Sequence, residues 1–558
     1  MALHPGQLAL GYPTPDAMDT ALLRGVVAGG LEDGRSKLLF APVGYPFAAL
    51  MPNRLDHLLA APLLWLLPWP LADNLWWVLA LCANGLAGHL LGRRLGGSHG
   101  AGVLCGVAFA CAEPVLREAN LGHAPQALAF AMPLVVLGLG GGYRLLGVSM
   151  AIAGLVYWYQ PLFLLAICVP FALASPRELP RLGRGALLCL ALVALPAALA
   201  LRGWGGLAMT DAGSLPLLNR PGLEKIPAEG RFLFTQGVDP LAWFLPGPAD
   251  RSARLPLSLL IAAALGSRQG PRWRWWAAAG LGVLMAMGPF LRWREHPVLF
   301  GGEPVPLPGW FLAHASAVLG RLHWPQRWAV VVPLALLPLA ARSRWPWLFA
   351  AGILAETALF SPHAPLWSAP TGQLDGWRQV EQSWGPVLVW PVQPEGPQQA
   401  LTGWIQRASG AELARAMHLP PGTPPASDWA AWLAENEVLT GPDPARLRAA
   451  GVAAVALDAT PGGVFDAAGL AREQARLSAL LDASFGPPMD LGSAIVWWID
   501  ARPPVEAMPD AAAWRAAWRQ RLAEFDRRPV PGGYPVMRWN VPGGRGEGRA
   551  GPVLGRER

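Results

Sequence analysis

The chain has 558 residues, of which 15% are charged and 53% hydrophobic, with a mean hydropathy of +0.31. Soluble domains carry roughly 25% charged residues, so this balance excludes an ordinary water-soluble enzyme, and the apolar share excludes disorder despite 64 glycines and 58 prolines. Lys37 and Lys225 are the two lysines among 44 basic residues, a skew more in keeping with a GC-rich genome than with nucleic-acid binding.

Taken in chain order, residues 1–74 read as a first extracytoplasmic loop, with the proline-broken stretch 55–71 as a helix lying in the membrane interface. Apolar runs then lie near residues 75–92, 101–116, 126–142, 145–160, 161–175, 185–201, 255–266, 275–290, 328–341 and 346–361, which makes 75–361 a transmembrane helical domain of about ten spans. Pro161 and Pro170 make the fifth run the weakest. The loops 93–100, 143–144, 176–184, 267–274 and 342–344 hold 11 arginines in 30 residues, whereas 112–126, 202–254 and 291–327 hold 11 basic residues in 105. Short cytoplasmic loops retain arginine and lysine, so the long loops and everything after residue 361 are expected outside the cytoplasm. The first 74 residues then also lie outside with no apolar run to carry them across, so a transmembrane helix is expected upstream of Met1.

Tryptophans at the ends of the runs, such as Trp76, Trp77, Trp328, Trp345 and Trp347, read as an aromatic belt, while Trp243 and Trp310 in the outer loops are placed to stack on a sugar. Cys82, Cys105, Cys111, Cys168 and Cys189 all fall in or beside apolar runs and read as buried small hydrophobes rather than disulfides or metal ligands. The glycine-rich stretch 138–143 lies in an apolar hairpin and lacks the strand and helix that a dinucleotide fingerprint requires.

Beyond residue 361 the composition changes. Strand-like runs at 386–392, 451–458 and 493–499 alternate with helical patterns at 397–408, 428–437, 442–449, 466–484 and 510–525, which predicts an extracytoplasmic α/β domain over 362–541 followed by a disordered tail over 542–558. No catalytic constellation is legible in it, so it reads as a lid or an acceptor-recognition module.

Water-exposed chemistry must be built from the outer loops. Asp16 and Asp19 are the acids of the first loop; Glu113, Arg117, Glu118, His123 and Gln126 follow the second run; Arg231, Arg321, His323 and Arg327 come later. A carboxylate facing an acceptor hydroxyl can take its proton, and arginines can hold a phosphate bidentately. Each has a plainer reading: Asp16 as a helix N-cap, Glu113 and Glu118 as a solvated ion pair with Arg117, His123 as a hydrogen-bonded interface residue, Arg327 as a headgroup anchor. Glu356, an acid inside an apolar run, is a functional suspect because charge in hydrocarbon is expensive.

Four segments carry a family resemblance: "PDAMDT" (15–20), "LFAPVGYPFAALMPNRLDHLLAAPL" (39–63), "NLGHAPQAL" (120–128), and "MAMGPFL" with "VPLPGWFL" and "HWPQRW" (285–328). In order and spacing they resemble the acidic first-loop motif, the Pro-x-Gly loop with interfacial helix, the second-loop glycine element and the later Pro-x-Arg pattern of bacterial GT-C integral membrane glycosyltransferases, in a branch with a C-terminal extracytoplasmic domain. The likeness touches residues 11–341. It implies a mainly α, polytopic helix bundle with a small α/β domain, whose first family helix is missing here. It also implies a first-loop acid that acts as catalytic base or orients the acceptor, which falls on Asp16, with Asp19 second because relatives usually carry glycine there. His123 stands where arginine is more usual. The expected partners are membrane lipid, a polyprenyl-phosphate-linked sugar, and a glycan, lipid or protein acceptor; a divalent cation is the one cofactor in question. A transporter or flippase, or a non-catalytic assembly protein, is the rival reading. A transporter favours internal repeats and midplane charges, and the sequence shows no clear repeat.

Overall fold

In the computed structural model the described residues are 8–10, 35–36, 45–46, 55–206, 237–245, 251–268, 272–294, 296–315, 325–364, 366, 368–380, 384–391, 404–414, 443–463, 465–500 and 503–526. Asp16, Asp19, Arg231, Arg321, His323, the 428–437 helix and the 542–558 tail lie outside them.

All ten apolar runs are helical. They form Leu71–Gly96, His99–Ala110 with Glu113–Asn120, Ala124–Ala127 with Ala131–Gly141, Tyr143–Val156, Tyr159–Ala174, Leu179–Gly206, Leu257–Ser267, Trp273–Ala286, Pro325–Val330 with Val331–Ala340, and Pro346–Phe360. Their lengths differ from the expectation. Three are long and apolar enough to cross a membrane, Leu71–Gly96, Ala124–Gly141 and Leu179–Ala198, or four if the pair around residue 111, bent by 42°, counts as one span. At about 1.5 Å per residue, the 11 residues of Leu257–Ser267 cover about 17 Å against a hydrocarbon core of about 30 Å. Pro161 sits in the first turn of Tyr159–Ala174, where its missing N–H leaves no bond unmade, so the doubtful fifth run is an ordinary helix that also carries Pro170.

The helices pack as membrane helices do, through small residues. Gly88, Gly92 and Gly96 form one stripe on Leu71–Gly96 against His99–Ala110, and a Cβ added at Gly88 would stand 2.6 Å from the Cys105 carbonyl oxygen. The opposite side of the same helix leaves Leu71, Leu75, Val78, Leu79, Leu86 and Leu90 exposed at helical spacing, while Trp76, Trp77, Ala80, Ala87 and Leu91 are buried. An apolar stripe of this kind, repeated by Leu187, Leu190 and Leu195 and by Leu348, Leu354 and Leu359, is what a lipid-facing surface looks like. Trp345 and Trp347 are exposed at a helix start, as a belt requires, but Trp76, Trp77 and Trp328 are core residues.

Between Ala124–Ala127 and Ala131–Gly141 the helix is interrupted, and two polar side chains repair the break. Asn84 donates to the Ala127 carbonyl (2.8 Å) and accepts from the Ala129 N–H (2.9 Å); Gln160 donates to the carbonyls of Pro125 (3.2 Å) and Leu128 (3.1 Å). Buried backbone freed from a helix needs such partners.

The C-terminal region is the expected α/β unit. Its four-stranded sheet has the spatial order Met489–Asp490, Ala494–Trp498, Ala454–Asp458, Val387–Trp390, with the last two parallel and the other pairs antiparallel. Alternate residues feed two cores: Val387, Val389, Ala454, Ala456 and Val496 face Trp377 and Trp404, while Leu388, Trp390, Val455, Leu457, Ile495 and Trp497 face Leu470, Leu477 and Leu481 of the Ala467–Phe485 helix. Arg515 clamps the last helix, Ala511–Asp526, to the sheet edge through Asp490 at 2.7 and 2.9 Å. Trp69 stacks edge-on against Trp404 (5.5 Å between centroids) and Asp73 faces Arg407 at 3.8 Å, which ties this unit to the start of the first long helix.

Asp458 ends the central strand, 3% exposed, with the Thr460 N–H donating to it at 3.0 Å. Burial raises its carboxyl from 3.8 to about 6, so the folded state holds the proton more tightly than the unfolded chain. Asp458 therefore lowers stability progressively as pH rises from 3.8 to about 6, by roughly 3 kcal/mol once both states are ionised. Asp458→Asn is expected to raise the melting temperature at pH 7.5 and to flatten its fall between pH 5 and 7; unchanged pH dependence would refute this.

Candidate functional site

The segment Glu113–Asn120 is an eight-residue helix started by Glu113 and Pro114, with every residue buried although three are charged. The reading of Glu113, Arg117 and Glu118 as a solvated ion pair is thus corrected. Charged side chains are almost never fully buried unless paired, and these are. Arg117, 0% exposed, donates from Nε (3.1 Å) and Nη2 (2.7 Å) to Glu118 Oε1, from Nη1 to the Ser252 carbonyl (3.0 Å) and from Nη2 to the Gln326 carbonyl (3.1 Å). With four of its five N–H donors used, Arg117 is a structural bolt that joins its own helix to two distant stretches of chain.

Glu118 Oε2 serves the other side. His123 Nδ1 lies 2.7 Å from it and Arg327 Nε 3.5 Å. The histidine is delivered there by the helix end: Gly122 adopts φ +76°, the Gly122 N–H bonds back to Ala119 and the His123 N–H to Glu118, a Schellman closure that requires glycine. Arg327, in the 3₁₀ turn Pro325–Val330, also donates from Nη1 to the Tyr157 hydroxyl at 2.7 Å and stacks over that ring at 5.7 Å. It is not a headgroup anchor.

Glu113 points the other way, accepting from Ser252 Oγ at 2.5 Å, with His363 Nε2 at 3.9 Å; Asn120 Nδ2 holds His363 through its carbonyl (3.1 Å) and lies 3.0 Å from its Nδ1.

On the Arg327 side a small recess of about 20 Å³, room for about one water molecule, is lined by Arg117, Glu118, Gln126, Tyr157, Gln160 and Arg327 and by apolar side chains. The Oε1 atoms of Gln126 and Gln160 are buried there and make no hydrogen bond. A small polar recess with spare acceptors and cations at its wall can hold a water or one polar group of a ligand.

Of the expected residues, Glu113, Arg117, Glu118, His123 and Arg327 converge on one network and Gln126 lines the recess beside it. Glu356 does not join them. It accepts from the N–H groups of Leu257 (2.6 Å) and Ser258 (2.8 Å), from Ser258 Oγ (2.6 Å) and from Arg254 (3.3 Å), and so caps the Leu257–Ser267 helix from another helix. Trp243 is buried and so is not placed to stack on a sugar; Trp310 is half-buried and packs on Phe290 at 4.8 Å. Tyr157, Gln160, Ser252, Asn120 and His363 were not expected; Tyr157 and Gln160 carry one faint signal, polar atoms at the end of an apolar run. Among the described residues no three histidine, cysteine or acidic side chains are gathered to hold a metal ion. In comparisons with known proteins the chain matches no family model, no curated protein and no solved structure.

Proposed function

We propose that this chain is a glycosyltransferase that moves a sugar from a polyprenyl-phosphate donor to an acceptor hydroxyl at the outer face of the bacterial inner membrane. The observation that carries the reading is the recess beside Glu118: guanidinium groups and two unused amide oxygens among apolar helices suit an anionic group and hydroxyls, and at about 20 Å³ the recess has to open as the donor enters. Arg327 holds the phosphate, since four of the five N–H donors of Arg117 are already used within the protein. Gln126 and Gln160 accept from sugar hydroxyls. Asp16 removes the acceptor proton as the hydroxyl attacks the anomeric carbon and the sugar–phosphate C–O bond breaks, releasing polyprenyl phosphate with inversion in a single displacement, and Asp19 stands second to it.

The topology that this requires places residues 1–74, the long loops and the C-terminal unit outside, with about ten spans between. One pairing supports it: strand Leu8–Leu10 is hydrogen-bonded antiparallel to Ser368–Pro370, just beyond the last apolar helix. Two paired strands share a compartment, so an even number of crossings separates them. Ten satisfies this, as does four; three does not.

Native mass spectrometry of the detergent-extracted protein tests the lipid-phosphate site. Loss of a charge-assisted hydrogen bond costs about 1.5–3 kcal/mol, so Arg327→Gln is expected to weaken retention of polyprenyl phosphate by about 10- to 100-fold. Equal retention by a folded variant would remove the basis for the proposal.

A further inference from the structure

The stretch 291–307 contains a short repeat. Leu291-Arg-Trp-Arg-Glu-His-Pro is followed by Val298-Leu-Phe-Gly-Gly-Glu-Pro and then Val305-Pro-Leu, each unit opening on an aliphatic residue, and the first two placing an aromatic before a turn and a proline at the end. The structure repeats too. Arg292 pairs with Pro297 and Trp293 with His296; seven residues on, Leu299 pairs with Pro304 and Phe300 with Glu303. The three aliphatic residues close a ring, the Val298 N–H bonding to Leu291 (2.9 Å), Val305 to Val298 (3.0 Å) and Leu291 to Val305 (2.9 Å). Each turn enters left-handed backbone directly after its aromatic, at Arg294 (φ +50°) and at Gly301 and Gly302 (φ +62° and +89°). The aromatics are left outside: Trp293 is 52% and Phe300 84% exposed, beside Leu299 at 58%.

We propose that these two aromatic turns are seated in the bilayer, with Phe300 among the upper acyl chains and Trp293 at the headgroup boundary, and anchor the outer loop to the membrane. The position of the unit argues for lipid. Its first strand begins six residues after the apolar helix Trp273–Ala286, whose 14 residues cover about 21 Å, about 9 Å short of the hydrocarbon core. If that helix crosses, the chain beyond Ala286 must complete the crossing at membrane depth. Irregular backbone is kept from lipid at that depth, and the closed ring of Leu291, Val298 and Val305 pairs three N–H groups at the base of the turns, so that the aromatic side chains rather than the backbone meet the acyl chains. Tryptophan at the boundary and phenylalanine deeper is the order that aromatic residues prefer at an interface.

The test places the fluorescent amino acid acridonylalanine at Phe300, at Trp293, or at the exposed Arg472 of the C-terminal unit, in the full-length protein reconstituted into phosphatidylethanolamine and phosphatidylglycerol vesicles. Interfacial elements bury about 5–10 Å into the headgroup and acyl boundary, so quenching by aqueous iodide at positions 300 and 293 is expected to be at least about fivefold weaker than at 472. Lipid carrying a nitroxide on the upper acyl chain should quench both and leave 472 bright. Iodide quenching at either turn equal to that at 472 overturns the proposal. So does a probe shielded from iodide yet untouched by the lipid nitroxide, which would mark protein around the turn.

Discussion

Asp16→Asn is expected to lower sugar transfer by about 10²- to 10⁴-fold, the range that a positioned general base contributes, while leaving retention of polyprenyl phosphate and the melting temperature unchanged. Asparagine is chosen because it caps a helix as well as aspartate does. If Asp16 is only a cap, the variant is silent. If it is the base, the chemistry is lost with the fold intact, because an amide cannot take the proton. Asp19→Asn is expected to do less. The measurement is release of radiolabel from a polyprenyl-phosphate-linked sugar by reconstituted protein, beside a melt in detergent. Full activity in Asp16→Asn would move the reading toward transport or assembly.

Glu118→Ala is expected to cost about 3–5 kcal/mol, out of a total stability of about 5–15 kcal/mol for a folded domain. The carboxylate accepts from Arg117, lies 2.7 Å from His123 Nδ1 and is the counter-ion of Arg327 at 3.5 Å, so its removal leaves two guanidinium groups uncompensated in a buried network. Glu118→Gln keeps one acceptor oxygen for Arg117 and is expected to cost less than alanine. The order is read from folded yield on gel filtration and from melting temperature. A Glu118→Ala protein as stable as the parent would mean that the network is not what fixes the Glu113–Asn120 helix.

How much of the fold is readable in the sequence depends on whether the signal is local. The strands Val387–Trp390, Ala454–Asp458 and Ala494–Trp498 are short apolar runs buried on both faces, and such runs announce themselves; the two-residue edge strand Met489–Asp490 is too short to do so. The apolar runs likewise predict helices, but not their lengths: Pro114 starts a new helix after the break at 111–112, while the break at 128–130 is held by distant Asn84 and Gln160. The burial of "EPVLREANLGH" is illegible for the same reason. Its charge pattern matches that of a solvated helix end, and what makes it a core element is supplied by Ser252, Gln326 and Arg327, more than 130 residues along the chain. Glu356 is legible as an anomaly but not as a cap, since the N–H groups that it satisfies lie 98 and 99 residues away.

Sugar transfer from a lipid-linked donor depends most on which side of the membrane the Glu118 recess and the C-terminal unit occupy, because the proposed reaction takes place there only if both face outward. A paired reporter at Arg558, alkaline phosphatase in one fusion and green fluorescent protein in the other, reads this directly in cells. Active phosphatase with a dark fluorescent fusion is the predicted result; since Leu8–Leu10 pairs with Ser368–Pro370, it reports on the amino-terminal strand as well. A bright fluorescent fusion with inactive phosphatase would contradict the topology, and with it the proposed chemistry.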